Sequence, residues 1–312
     1  MTKPEHLLSL GAALKAAGYA FTTVTPATHE RVNRRPENAR ATDLRGVFGW
    51  SRPFGPGVLP DEIVDLMDAA EVLDRDGDVW RSLVRFSTFD GELFVHSAFP
   101  TTDADAVFFG PDTYRMAEAA AAHVMHRRRP VRRAVDIGCG TGAGAITVAK
   151  RAPAAEVFAV DINDTALEFT RVNTALADVR SVRACHSNLL KDVDGTFDLI
   201  VSNPPFMIDP AGRAYRDGGG SGGHDLSLSI IDAAVERLDP GGSLVLFSGA
   251  GIVDGEDPLR AAAADRLAGT DLTWSYREVD PDVYDEELDG DAYRHAERLA
   301  VVVLTASRSE WS

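Results

Sequence analysis

Cysteine is scarce in this chain: Cys139 and Cys185 are the only two among 312 residues, each inside or beside an apolar run. That excludes a disulfide scaffold and suits a reducing compartment. Long apolar runs are missing as well. No stretch offers about 18 uncharged apolar residues, the length a spanning helix needs. Met1 to Leu10 carries Glu5 and His6 where a secretory signal needs a basic start and an apolar core. A cytoplasmic protein is expected. Positive charge is in deficit, with 32 Lys and Arg against 48 Asp and Glu and a formal net charge of −16. This balance disfavours a partner held mainly through phosphates, which calls for a basic face that releases counterions. The local cations at Arg31, Arg34, Arg35 and Arg40, and at Arg127 to Arg129 with Arg132 and Arg133, read as solvated charges on loops and helix ends. No solenoid repeat is visible, and the Gly218 to Gly223 loop is the one low-complexity tract.

Hydrophobic residues make up 45% of the chain, enough for one full core and a second, smaller one. From about Arg132 short apolar runs alternate with helical stretches, the pattern of a mostly parallel sheet covered on both faces. Strands are expected at Arg133 to Ile137, Glu156 to Ile162, Val182 to Ser187, Phe197 to Ser202, Ser243 to Phe247, Leu272 to Val279 and Leu299 to Thr305. Helices are expected at Gly144 to Arg151, Asp164 to Ala177, Leu226 to Leu238 and Pro258 to Ala268. The result is a seven-stranded, Rossmann-like α/β sheet with an antiparallel hairpin at its edge, the two last strands being joined by the acidic segment Asp280 to Asp291.

Residues 1–110 read as a separate α+β unit ahead of a main domain at 111–312. They offer a helix at Glu5 to Ala17, a Pro/Arg/Asn-rich stretch to Pro60, a helix at Asp61 to Ala70, and strands at Trp80 to Phe86 and Leu93 to Phe99. Asp90-Gly91 supplies a hairpin turn, so the unit is winged-helix-like in outline.

An apolar strand that runs into Gly138-Cys139-Gly140-Thr141-Gly142 and then a helix forms a ligand-cradling turn, because glycine lets the backbone curl and approach a ligand closely. Gly138, Gly140 and Ala143 also satisfy the dinucleotide fingerprint, which leaves a nicotinamide enzyme open. Asp136, two residues ahead of the turn, would direct a carboxylate at the ligand, a poor partner for a pyrophosphate. Asp161, at the end of the next strand, can accept both ribose hydroxyl protons. Together they favour S-adenosyl-L-methionine. From about residue 110 to 305 the chain resembles class I S-adenosylmethionine-dependent methyltransferases, whose first motif reads as Asp136 to Gly142 does here. The resemblance implies that Asp136, Gly138, Gly140, Thr141 and Gly142 form the cofactor turn and receive its methionine part. It also implies that Asp161 holds the ribose, that Ile162 packs on the adenine, and that Asn188 and Leu189 border the adenine where relatives often have Asp.

Phe197 to Ser202 delivers Asn203-Pro204-Pro205-Phe206 to the carboxyl edge of the sheet, where open parallel sheets bind ligands. A Pro-rich strand ending is the plain alternative. After such a turn, however, the motif suits methylation of a planar nitrogen. The Asn203 side-chain oxygen and the Pro204 carbonyl accept from an NH2 group, Phe206 stacks on its plane, and no metal is needed. The motif resembles release-factor glutamine methyltransferases of the HemK/PrmC type and the amino-group methyltransferases of adenine and guanine. That resemblance makes Asn203, Pro204 and Phe206 the catalytic candidates and brings Asn203 against the cofactor as well. Phe108-Phe109-Gly110-Pro111-Asp112-Thr113 is similar to a Pro-x-x-Asp-Thr segment that closes the cofactor site in the release-factor group, with shortened spacing. Asp112 and Thr113 also suit capping of a helix at Tyr114 to His126. Beyond the motif, glycines at 218–223 could hinge a flap, with Asp225 capping the next helix and His224 a candidate proton acceptor. The expected activity is N-methylation of an amide or amine on a protein side chain or small molecule. An RNA or DNA base methyltransferase and a non-catalytic binding module stand as alternatives. The acceptor's identity and the oligomeric state are not legible.

Overall fold

The computed structural model describes residues 1–209, 211–213 and 215–310. Helix α1 (Lys3–Ala16) starts where Glu5 reaches back to accept from the Thr2 N–H at 2.7 Å. It buries Leu7, Leu10, Gly11 and Leu14, one face of a 3.6-residue period. The Pro/Arg/Asn-rich stretch is more ordered than its composition suggests. It holds α2 (Pro26–Asn33), capped by Thr25, and α3 (Leu44–Phe48), capped by Asp43, whose carboxylate accepts from the Gly46 N–H at 2.7 Å. Helix α4 (Asp61–Ala69) follows as expected.

Two hairpins come next, where the sequence suggested one. The expected strand at Trp80 to Phe86 breaks near Leu83 into β2 (Val79–Ser82), paired with β1 (Leu73–Asp76), and β3 (Val84–Phe89), paired with β4 (Glu92–Ser97). The β3–β4 turn uses Asp90 (φ 52°) and Gly91 (φ 79°), both left-handed, as a two-residue turn of matching twist requires.

Helix α5 (Pro111–His126) leads into the main sheet. Its start lies earlier than the sequence suggested, because Pro111 takes the first helical position, and Thr113 Oγ1 accepts from the Gly110 N–H at 3.3 Å. The sheet is built from β5 (Arg133–Ile137), β6 (Glu156–Asp161), β7 (Val182–His186), β8 (Phe197–Ser202), β9 (Leu238–Ile252), β10 (Leu272–Asp280) and β11 (Arg298–Arg308), in the order β10-β11-β9-β8-β5-β6-β7. Strand β11 runs antiparallel to both β9 and β10, and the other pairs are parallel. Helices α6 (Ala143–Arg151), α7 (Asp164–Leu176), α8 (Asp225–Arg237) and α9 (Pro258–Leu267) complete the layers. The seven-stranded, mostly parallel α/β sheet is therefore as its apolar runs imply.

The N-terminal elements share a core with this sheet's helices. Leu7, Leu14, Phe48, Phe54, Met67 and Phe86 cluster with Phe169, Val172 and Leu176 of α7. Asn173 of α7 ties the hairpin down, its side chain accepting from the Val95 N–H and donating to the Val95 carbonyl. No helix among the described residues is long and apolar enough to cross a membrane.

Candidate active site

Strands β5, β6, β7 and β8 end side by side, and a cavity of about 220 Å³ opens at their carboxyl ends. The turn after β5 places Gly138, Gly140 and Gly142 at φ 68°, 54° and 77°. Gly138 and Gly142 use this freedom differently. A methyl group on Gly138 would meet no protein atom within 4 Å and would project into the cavity it lines, whereas one on Gly142 would lie 2.9 Å from Thr170. The turn is fastened to β6, with the N–H groups of Gly138 and Cys139 donating to the Val160 carbonyl at 2.9 and 3.0 Å.

Asp161 extends that fastening. One carboxylate oxygen accepts from the Gly140 N–H at 2.9 Å and the other from the Asn163 N–H at 3.0 Å. A carboxylate has about four acceptor sites, so two remain for a ligand. Burial raises its pKa, against these backbone hydrogen bonds. Beside it Ile162 stands 58% exposed, an apolar face on the cavity wall. Asn188 is exposed and Leu189 takes the left-handed conformation at φ 54°, both bordering the same space.

Asp136 departs from the expected arrangement. It is 1% exposed, does not line the cavity, and accepts from the Ala145 N–H in the first turn of α6 at 2.8 Å. The helix supplies a hydrogen-bond donor and a favourable dipole end there, so the carboxyl braces the turn from beneath. Burial pushes its pKa up to about 7. Gly142 also lies off the cavity, while Thr141 lines it.

Asn203, Pro204, Pro205 and Phe206 follow β8 along the opposite wall. Asn203 Oδ1 is buried and has no hydrogen-bond partner. The Phe206 ring borders the cavity but packs on Phe247 (centroids 6.5 Å apart) and leaves no room for a side chain at Gly249. From there a loop folds back on itself, the Gly218 N–H donating to the Met207 carbonyl at 2.9 Å. Two of its glycines serve close packing: a methyl group on Gly218 would overlap the Gly223 carbonyl, and one on Gly223 would lie 2.7 Å from the Phe206 carbonyl. Helix α8 begins at Asp225 itself, with His224 before it. His224 does not line the cavity, and its side chain makes no capping bond.

Segments outside the glycine turn and the Asn-Pro-Pro motif supply further wall residues, among them Asp112 and Thr113 of the segment expected to close the cofactor site. Pro26, Val107 and Phe108 border the cavity from the N-terminal side, and Arg216 and Tyr284 from the acceptor side. Asp112 is 4% exposed. One of its oxygens accepts from the Tyr284 hydroxyl, and the other lacks a hydrogen-bond partner, with Arg115 3.9 Å away. Burial raises this carboxyl to about 6.

Known proteins share this arrangement. The family profile described as the methyltransferase small domain matches residues 109–251. A release factor glutamine methyltransferase of Deinococcus radiodurans is 31% identical over 230 residues, covering 69% of this chain and 78% of that protein. The chain belongs to the release factor glutamine methyltransferase family. It is an S-adenosylmethionine-dependent N-methyltransferase. A family member from Mycobacterium leprae is 34% identical over 182 residues, covering 52% of this chain and 61% of its own length. A ribosomal protein uL3 glutamine methyltransferase of Neisseria meningitidis is 32% identical over 130 residues, covering 38% and 43%. Among solved structures, Methanocaldococcus jannaschii Trm5 in complex with adenosine superposes with a TM-score of 0.50 at 16% identity, over 73% of this chain and 56% of that one, a likeness of fold. The cavity suits the methyltransferase cofactor: open space above Gly138, spare acceptor sites on Asp161 and the bare face of Ile162 offer a backbone cradle, a hydroxyl partner and an apolar seat.

Proposed function

We propose that this enzyme methylates the side-chain amide nitrogen of a glutamine in a protein, with Asn203 as the residue that grips that amide. The observation that carries this reading is the buried, unpartnered Asn203 Oδ1 at the cavity wall. A buried acceptor without a donor is costly by about 1–3 kcal/mol, and an amide N–H relieves it. Two relatives, a release factor glutamine methyltransferase and a ribosomal protein uL3 glutamine methyltransferase, are named for this chemistry.

Bound S-adenosylmethionine supplies an electrophilic methyl group on a cationic sulfur. The chain's residues do the rest. Gly138, Gly140 and Thr141 would seat the methionine part, Asp161 would accept from the ribose, and Ile162, Asn188 and Leu189 would border the adenine. Asp136 and Gly142 hold the turn's shape from behind. Asn203 and the Pro204 carbonyl accept the two amide protons and so orient the nitrogen towards the methyl, with Phe206 closing the side. The amide nitrogen would take the methyl that the cofactor's sulfur gives up and would lose one N–H proton to solvent. Placement in a water-poor pocket, with acceptors set where positive charge develops, provides the rate gain.

The front segment, residues 1–110, serves acceptor recognition alongside the catalytic domain at 111–312. Support comes from Pro26, Val107 and Phe108 in the cavity wall. A cytoplasmic setting fits the two free cysteines. Protein is favoured over nucleic acid because the loop cations are already matched: Arg213 pairs with Asp209 at 2.7 Å and Arg216 with Glu287 at 2.6 Å. Transfer of labelled methyl groups to peptides that differ only in Gln, Glu or Asn at one position tests the reading. Label is expected on the Gln peptide. Equal labelling of all three, or none beside tight cofactor binding, would overturn it.

A further inference from the structure

The glycine turn is gripped from behind by α7 as well as from the side by β6. Thr170 and Asn173, one helical turn apart on the same face of α7, are fully buried, and neither lines the cavity. The Thr170 hydroxyl donates to the Gly140 carbonyl at 3.0 Å, and the Asn173 amide donates to the Thr141 carbonyl at 2.9 Å. Thr170 comes this close because position 142 has no side chain: a methyl group there would lie 2.9 Å from it. Asn173 is itself held still, its oxygen accepting from the Val95 N–H at 2.7 Å and its second amide proton going to the Val95 carbonyl at 3.1 Å.

The two carbonyls belong to consecutive peptide units. A trans peptide points its N–H opposite to its carbonyl, so the hold on the Gly140 carbonyl turns the Thr141 N–H away from α7. Among the described residues that N–H has no partner, and Thr141 lines the cavity. The other N–H groups of the turn are all used within the chain, those of Gly138 and Cys139 on the Val160 carbonyl, that of Gly140 on Asp161 and that of Gly142 on the Cys139 carbonyl.

We propose that Thr170 and Asn173 are positioning residues for methyl transfer: they hold two carbonyls of the turn towards α7 and so present the Thr141 N–H to the carboxylate of the cofactor's methionine part. The inference rests on the proposed seating of that part on the glycine turn. A donor fixed before binding meets a charged acceptor without the cost of ordering it. Loss of either grip frees a peptide unit to rotate, and only ligands that carry the amino-acid part should notice.

The test measures, by calorimetry on the full chain, two ligands: S-adenosylhomocysteine, which has the amino-acid part, and methylthioadenosine, which lacks it. Thr170→Val keeps the shape of the side chain and should weaken S-adenosylhomocysteine by about threefold to tenfold, with methylthioadenosine within about twofold of the wild type. Asn173→Ala should weaken S-adenosylhomocysteine by about tenfold or more, again selectively. Because it also strips Val95 of its partners, its thermal midpoint should drop, and Thr170→Val carries the test if that variant does not fold. In turnover the loss belongs in KM for S-adenosylmethionine, with kcat largely recovered at saturating cofactor. Equal weakening of both ligands would make the two residues supports of the fold alone and overturn the inference, as would unchanged affinity for both. Asp161→Ala, at the ribose, should weaken both ligands; if it weakens neither, the proposed cofactor seating itself fails.

Discussion

The two halves of the cavity are built to different degrees of completion. On the cofactor side most polar groups have partners within the chain: both Asp161 oxygens, Asp136 Oδ2 and the N–H groups of Gly138, Cys139, Gly140 and Gly142 are hydrogen-bonded. On the acceptor side Asn203 Oδ1, one oxygen of Asp112 and Arg216 Nε are buried without them. Buried polar atoms are usually paired, and Asn203 Oδ1, which has neither a hydrogen bond nor an ion pair, is where an acceptor amide would complete the structure. A self-consistent half can hold its shape before anything binds. The incomplete half owes its order to packing and to ion pairs around it, and its chemistry is finished by the acceptor.

Substitutions on the two sides should therefore fail in different ways. Asn203→Ala is expected to have the largest effect, lowering kcat by roughly 100- to 1000-fold, as loss of one preorganised partner does. Cofactor affinity, measured by calorimetry, should fall by less than about tenfold. Asp161→Ala should do the reverse, weakening cofactor binding by about 10- to 100-fold with much of the turnover recovered at saturating cofactor, in line with about 1.5–3 kcal/mol for hydrogen bonds to a charged group. A D161A enzyme with normal affinity and dead chemistry would erase the distinction between the halves.

The glycines sharpen the contrast on a smaller scale. Gly142→Ala combines a left-handed φ with a clash on Thr170 and should cost about 2 kcal/mol of stability, seen as a lower thermal midpoint. Gly138→Ala carries the φ penalty alone, about 1 kcal/mol, and puts its methyl in the cavity. Its main effect should be on cofactor affinity.

The buried carboxyl beneath the turn adds a pH slope that the acceptor side shares only in part. Asp136 moves from 3.8 to about 7 on folding because burial disfavours its charge. The folded state therefore holds this proton more tightly, and stability should fall as pH rises from about 4 to about 7. Asp136→Asn keeps an oxygen for the Ala145 N–H and should flatten that fall. A residual slope up to about 6 remains from Asp112, which shifts in the same direction. Thermal midpoints at pH 5 and 8 for both proteins would show it.

How legible each part was follows the same division. The ends of β5 and β8 are plain in sequence because a short apolar run stops at a glycine turn or at Asn-Pro-Pro, and the Asp90-Gly91 turn fixes its hairpin. The glycine turn, Asp161 and Asn203 follow from strand endings on one sheet edge. Helices α2 and α3 were hidden by a Pro/Arg/Asn-rich composition, although the caps Thr25 and Asp43 were there to be read. Asp136 was placed on the right strand but aimed at the wrong neighbour, since side-chain direction depends on how closely α6 packs. Tyr284 and Arg216 could not be found from spacing. They reach the wall through long-range pairs, Tyr284 to Asp112 across 172 residues and Arg216 to Glu287, that no local pattern encodes.

The most direct test of glutamine methylation is to locate the transferred group by tandem mass spectrometry after incubating the enzyme with isotopically labelled cofactor and a glutamine-containing protein acceptor. The expected result is one labelled methyl on a glutamine side-chain nitrogen, lost in the Asn203→Ala variant. Label on a carboxylate, a hydroxyl or a nucleobase, or glutamine labelling unchanged by that substitution, would contradict it.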